Sequence, residues 1–185
     1  MITTWQRPTL LLVTLASLGA LVGCGKAPIE EAVGKNDRHA VSEAIKAGAD
    51  VNARTSSGDT PLLLAAKSAQ SSSAQALIEG GADIQVRDEA GNSVLHYAAR
   101  SGMTGICGLL IDRGIAVDVT GEGGSTPLQF AAGAGQQETA KYLVRHGASL
   151  EQKNSAGASA LDLVTARGDQ RFLNDLKLAA ATRKP

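Results

Sequence analysis

Aromatic side chains are scarce: one Trp, two Tyr and two Phe among 185 residues. A thick aromatic core is therefore excluded, and the abundance of Ala, Leu and Gly suits closely stacked helices instead. There are only two cysteines, Cys24 and Cys107, too few for a disulfide framework. Neither sign of charge is in excess, with 18 basic and 18 acidic groups overall. Setting aside residues 1–23 leaves 17 basic and 18 acidic groups, which gives no electrostatic reason to expect nucleic-acid binding. The three histidines, His39, His96 and His146, stand at unrelated positions, and no pair has metal-ligand spacing. No Gly-rich loop follows a strand pattern, so no phosphate cradle is expected. Asp162 and Asp175 have no partner His or Ser in a recognisable catalytic arrangement. The expectation is a chain with no catalytic residues, no metal and no cofactor.

The longest apolar stretch, Leu10 to Val22, is thirteen residues. It is short of the roughly 18–20 residues that a membrane span needs, and it has the length of a signal-peptide h-region. Arg7 supplies a small positive n-region before it. The alternatives are an uncleaved anchor or a buried helix. The stretch ends in Leu21-Val22-Gly23-Cys24, which resembles the bacterial lipobox. Small residues before the cysteine let a peptidase reach the backbone, and the thiol accepts the lipid. The resemblance implies a lipoprotein signal peptide over 1–23 and lipidation (diacylglyceryl and fatty acyl groups such as palmitate) on Cys24. Two or three acyl chains there would hold the protein on a membrane, since one alone binds only marginally. Gly25, where an Asp would imply inner-membrane retention, resembles outer-membrane sorting. Residues 24–27 form a short tether before Pro28, with a reach of roughly 10–15 Å.

Two glycine series share one period. Gly58, Gly91, Gly124 and Gly157 stand 33 residues apart, and so do Gly48, Gly81, Gly114 and Gly147. Three segments match in phase: Thr60-Pro61-Leu62-Leu63-Leu64-Ala65-Ala66, Ser93-Val94-Leu95-His96-Tyr97-Ala98-Ala99 and Thr126-Pro127-Leu128-Gln129-Phe130-Ala131-Ala132. A second landmark runs Gly48-Ala49-Asp50-Val51-Asn52, Gly81-Ala82-Asp83-Ile84 and Gly147-Ala148-Ser149-Leu150, with Gly114-Ile115-Ala116-Val117 as a looser copy. These units resemble ankyrin repeats. The resemblance implies an all-α repeat, an ankyrin solenoid of helix-turn-helix units joined by β-hairpin-like loops. The domain is expected over 28–180, in units 28–54, 55–87, 88–120, 121–153 and 154–180, followed by a tail over 181–185.

The residues account for such a fold on their own. Thr60, Ser93 and Thr126 are suited to cap a first helix, with Pro61 and Pro127 in its first turn. That helix should stop at Gly102, Gly135 or Gly168, where a left-handed backbone is needed. Asn36 and Ala69 stand at the same register, and Ala69 is the costly exception. With Ser71-Ser72-Ser73 close behind, unit 55–87 reads as the weakest. The second helix should bury Leu77 and Ile78; Leu109, Leu110 and Ile111; and Tyr142, Leu143 and Val144. One unit cannot bury its own apolar face, so stacking must make the core. Both ends read as caps: Glu43 replaces the apolar residue found at Leu109 and Tyr142, and Asn174, Asp175 and Lys177 make the last helix polar.

Cys107 aligns with Val41, Ala74 and Ala140, and reads as a buried small side chain rather than a redox or nucleophilic group. The ankyrin resemblance implies that His96 ties neighbouring units by hydrogen bonds. It also implies a protein partner on the concave side, formed by hairpin tips and the exposed face of each first helix. In this register the tips carry Arg54, Ser56, Ser57 and Asp59; Arg87, Glu89 and Asn92; Thr120, Glu122 and Ser125; and Lys153 and Ser155. Lys67, Arg100 and Ser101 should face the same side from the helices. Arg54, Arg87 and Lys153 share one position, a basic ridge interrupted by Thr120. The expected role is a monomeric, membrane-anchored scaffold or accessory factor in the bacterial cell envelope, facing the periplasm. The alternative is an immunity or inhibitor protein that occludes a toxin or hydrolase.

Overall fold

The computed structural model describes residues 28–182; the apolar leader, Cys24, the tether and residues 183–185 lie outside the described residues. Ten α-helices form among them, in pairs: α1 (Pro28–Gly34) and α2 (Arg38–Lys46), α3 (Pro61–Lys67) and α4 (Ser71–Glu79), α5 (Val94–Arg100) and α6 (Thr104–Asp112), α7 (Pro127–Ala134) and α8 (Gln137–Arg145), α9 (Ala160–Ala166) and α10 (Gln170–Ala181). The odd-numbered helices stack on one another as one layer and the even-numbered ones as a second, and each helix also packs on its pair partner. This is the all-α repeat that the period implied. No strand forms among the described residues; the loop between α4 and α5 closes with a single antiparallel bridge between Arg87 and Ser93.

Helices α3, α7 and α9 start where a side chain satisfies an open N–H group. Thr60 accepts from the Leu63 N–H and Thr126 from the Gln129 N–H, with Pro61 and Pro127 in the first turn. The first helix of each pair stops where the backbone turns left-handed, at Gly102, Gly135 and Gly168, with φ of 73–74°. Asn36 (φ 53°) and Ala69 (φ 57°) adopt the same conformation at the equivalent sites, as the alignment predicted. The glycines that follow the second helices and those at the loop tips also have positive φ.

The core is a ladder of equivalent leucines. Leu62, Leu95 and Leu128 form one rung series and Leu77, Leu110, Leu143 and Leu176 the other, all fully buried. Each contributes roughly 1.5–3 kcal/mol through burial. Cys107 is fully buried among them. One expectation is corrected. Leu109, Ile111 and Tyr142 are half-buried, not core. Successive helix residues turn by about 100°, so three in a row cannot all face one layer. In unit 55–87 the Ser73 hydroxyl is buried and reaches the Val33 carbonyl, while its N–H donates to the Asn36 side chain (3.1 Å). Ser73 thereby ties α4 to the preceding pair.

Candidate functional site

The loop tips are braced from within and from one to the next. Arg54 donates from Nη1 to the Gly58 carbonyl at 2.6 Å, closing its own tip. Arg87 repeats the contact one unit on, with the Gly91 carbonyl at 2.6 Å, and also reaches the Thr120 carbonyl of the next tip at 2.7 Å. The Ser155 N–H donates to the Gly123 carbonyl at 2.7 Å. Arg54, Arg87 and Lys153 are all exposed; the first two also serve as structural ties, and Lys153 projects without a hydrogen bond or ion pair among the described residues.

Six of the candidate residues line one cleft of about 650 Å³ between the first two tips: Arg54, Ser57, Asp59, Lys67, Arg87 and Glu89. Lys67 anchors its centre. Its ammonium lies 2.8 Å from Asp59 and 3.6 Å from Asp88, and 5.5 Å from the centre of the Tyr97 ring. The Tyr97 hydroxyl donates to Asp88, which also accepts the Asn92 N–H at 2.8 Å. Burial opposes the Lys67 charge, but the Asp59 hydrogen bond and the nearby negative groups outweigh it and raise its pKa. Burial likewise opposes the Asp88 charge, and the Tyr97 and Asn92 hydrogen bonds with the Lys67 charge outweigh it, so the Asp88 pKa is lowered. Burial and then Asp88 push the Tyr97 hydroxyl up. All three shifts run away from neutrality. Around neutral pH, Lys67 and Asp88 therefore keep their charges and Tyr97 keeps its proton.

The remaining candidates divide. Asn92 is the clearest correction: it is 2% exposed, and its Oδ1 accepts the Glu122 N–H at 2.9 Å, so it joins two tips instead of facing a partner. Ser56 bonds to the Glu30 carboxylate through its N–H and hydroxyl. Ser125 gives its carbonyl to His96 Nε2 at 3.0 Å, and Ser101 ends α5 half-buried. His96 thereby ties two units, as expected. Thr120, Glu122, Lys153 and Ser155 are exposed at the later tips. Arg100 is exposed beside a second hollow, of about 440 Å³, lined also by Gln129, Phe130, Gly133 and Ala134.

A row of apolar side chains on the odd-numbered helices escaped the sequence reading. Leu64, Tyr97, Phe130 and Leu163 stand at one register and are all half-buried. The signal was present, since both Tyr97 and Phe130 sit immediately before an Ala-Ala pair. Among the described residues, no group of three or more His, Cys, Asp or Glu side chains could hold a metal ion, and no helix is long and apolar enough to cross a membrane. Burial lifts the Cys107 thiol to about 12, which leaves it unreactive at neutral pH.

A search of curated proteins returned no match to the chain. A family model for ankyrin repeats (three copies) matches residues 29–121, 65–154 and 95–174. Together with the stacked helix pairs and braced tips, this match shows that the chain belongs to the ankyrin-repeat family, whose arrays are protein–protein interaction scaffolds.

Proposed function

We propose that this chain is a lipid-anchored scaffold or accessory factor of the bacterial cell envelope, and that it docks another protein on its loop tips and the adjoining face of the odd-numbered helices. The observation that carries the docking reading is the tip bracing. Arg54 and Arg87 hold their loops through the same guanidinium-to-carbonyl contact. A surface that is already ordered loses little conformational entropy when a partner binds. Tyr97 and Phe130 add half-buried aromatic area beside those tips, the kind of residue that anchors interfaces. The envelope part of the proposal rests on Leu21-Val22-Gly23-Cys24. Lipidation of Cys24 would place the array within a short tether of an outer membrane, periplasm-facing.

Two measurements test the reading. Cys24→Ala is expected to accumulate unprocessed precursor with no acyl label; normal labelling would refute the anchor. A photo-cross-linking amino acid at exposed Glu89 should trap a partner in intact cells, while the same group at exposed Arg171, on α10, should not. Adducts from Arg171 alone would move the docking surface to the other layer. An adduct with an incoming toxin or hydrolase would make the role inhibition, the alternative reading; a resident envelope protein would make it a scaffold.

A further inference from the structure

We propose that the hollow between Arg100 and α7 receives an acidic side chain that neighbours an apolar one in an extended segment of the docked protein. This rests on the docking reading above and specifies the partner's chemistry. Lys67 and Arg100 are equivalent, 33 residues apart, but their surroundings differ. Lys67 is neutralised by Asp59 and Asp88. Arg100 is exposed and makes no ion pair or hydrogen bond among the described residues. Its planar fork matches a carboxylate in a bidentate way that an ammonium cannot.

The next equivalent position is Gly133, in the last turn of α7. Nothing in the fold calls for glycine there: its φ is not positive, and a Cβ would meet no atom within 4 Å. Glycine inside a helix weakens it. What its absence of a side chain leaves is open space over Phe130 and Ala134, next to the Arg100 guanidinium. The Phe130 ring is held edge-on by His96, at 5.1 Å between centroids and 73°. Arg167 donates from Nη1 to the Gly133 carbonyl at 2.9 Å and so ties α9 to the end of α7 without lining the hollow. An apolar floor beside one unpaired guanidinium suits a carboxylate next to a hydrophobic group. A basic segment would meet the Arg100 guanidinium. A polyanion would meet Asp59, Glu89 and Glu122 on the neighbouring tips.

The test uses the full chain in detergent as bait for a random-peptide display library. Enriched sequences are expected to carry Asp or Glu next to Phe, Leu or Ile. Synthetic copies with that acid changed to Asn or Gln should bind about tenfold more weakly, the scale of one charged hydrogen-bonded contact. Arg100→Glu should cause a loss at least as large. Gly133→Lys should abolish binding by filling the hollow, although it adds positive charge; Lys67 and Arg100 already occupy the same helical position, so folding is retained, as circular dichroism would verify. No enrichment, enrichment without an acidic bias, or acidic peptides that bind both variants unchanged would overturn the proposal. So would peptides that lose affinity only when their terminal carboxylate is amidated, since the group recognised would then be a chain end. If Glu89 cross-linking still traps the partner while Arg100→Glu leaves that capture unaltered, the docking reading stands and this inference alone falls.

Discussion

The imidazole of His96 accepts the Ser93 backbone N–H at Nδ1 (3.1 Å) and donates from Nε2 to the Ser125 carbonyl (3.0 Å). The first bond requires the neutral ring, because a protonated Nδ1 cannot accept; the second survives protonation. Burial holds its pKa below the ordinary histidine value, although the Ser125 carbonyl pulls the other way. An unfolded histidine takes up a proton near pH ~6.5. Below that pH the unfolded chain therefore binds more protons than the folded one, and stability falls until the folded pKa is passed. The repeat supplies a control. Gln129 stands at the same register, accepts the Thr126 N–H at 3.0 Å and donates to the Gln152 carbonyl at 2.6 Å. His96→Gln should keep the tie between units and flatten the loss of stability below pH ~6.5, measured as the urea midpoint across a pH series. An unchanged acid slope would assign the loss to other groups. The histidine's role was legible because its motif position carries it. Asn92 was not legible: a lone Asn at a tip reads as an exposed polar group, and its burial depends on the Glu122 N–H thirty residues away.

Among the elements, the turn between paired helices is the best specified and also the most uneven. Three of the five turns use glycine in the left-handed conformation, one uses Asn36, and one forces Ala69 into it at φ 57°. Just after Ala69, the Gln70 Oε1 is buried without a hydrogen-bond partner among the described residues. Ala69→Gly should stabilise the array by about 1 kcal/mol, because glycine lacks the Cβ that makes this conformation costly. The thermal midpoint should rise by about 2–4 °C. A lower midpoint would mean that the gain in unfolded-chain freedom outweighs the relieved strain. Helix starts were readable from Thr-Pro and stops from Gly. The buried face of the even-numbered helices was only partly readable. Runs such as Leu109-Leu110-Ile111 are apolar throughout, and only the direction of the neighbouring layer selects Leu110. The serines of α4 read as a weakness because hydroxyl groups seldom sit in a core. Ser73 does, since the Val33 carbonyl and the Asn36 side chain take up its donors.

For the whole molecule, stability comes from neighbouring pairs, each burying the apolar face of the next. Leu110 is fully buried at the centre of the array. Leu110→Asp would leave an unpaired charge there, at a cost on the order of several kcal/mol. Far-UV circular dichroism should show loss of the cooperative melt; a native-like melt would mean that α6 presents another face. The stack itself was plain in the sequence, because two glycine series and one capping motif keep the same 33-residue phase. The docking face was not. Lys67 and Arg100 occupy equivalent positions, yet one is held by Asp59 and Asp88 and the other is free, a difference set by carboxylates from two separate loops.

The Tyr97–Asp88 contact has a spectroscopic corollary. Residues 28–182 contain no Trp, so a chain lacking residues 1–23, and with them Trp5, would emit from Tyr97 and Tyr142 alone. A phenol hydrogen-bonded to a carboxylate is quenched, because the excited state gives up its proton readily. Any guest that draws Asp88 away from the Tyr97 hydroxyl would brighten the ultraviolet fluorescence, which gives the cleft a label-free optical readout of occupancy.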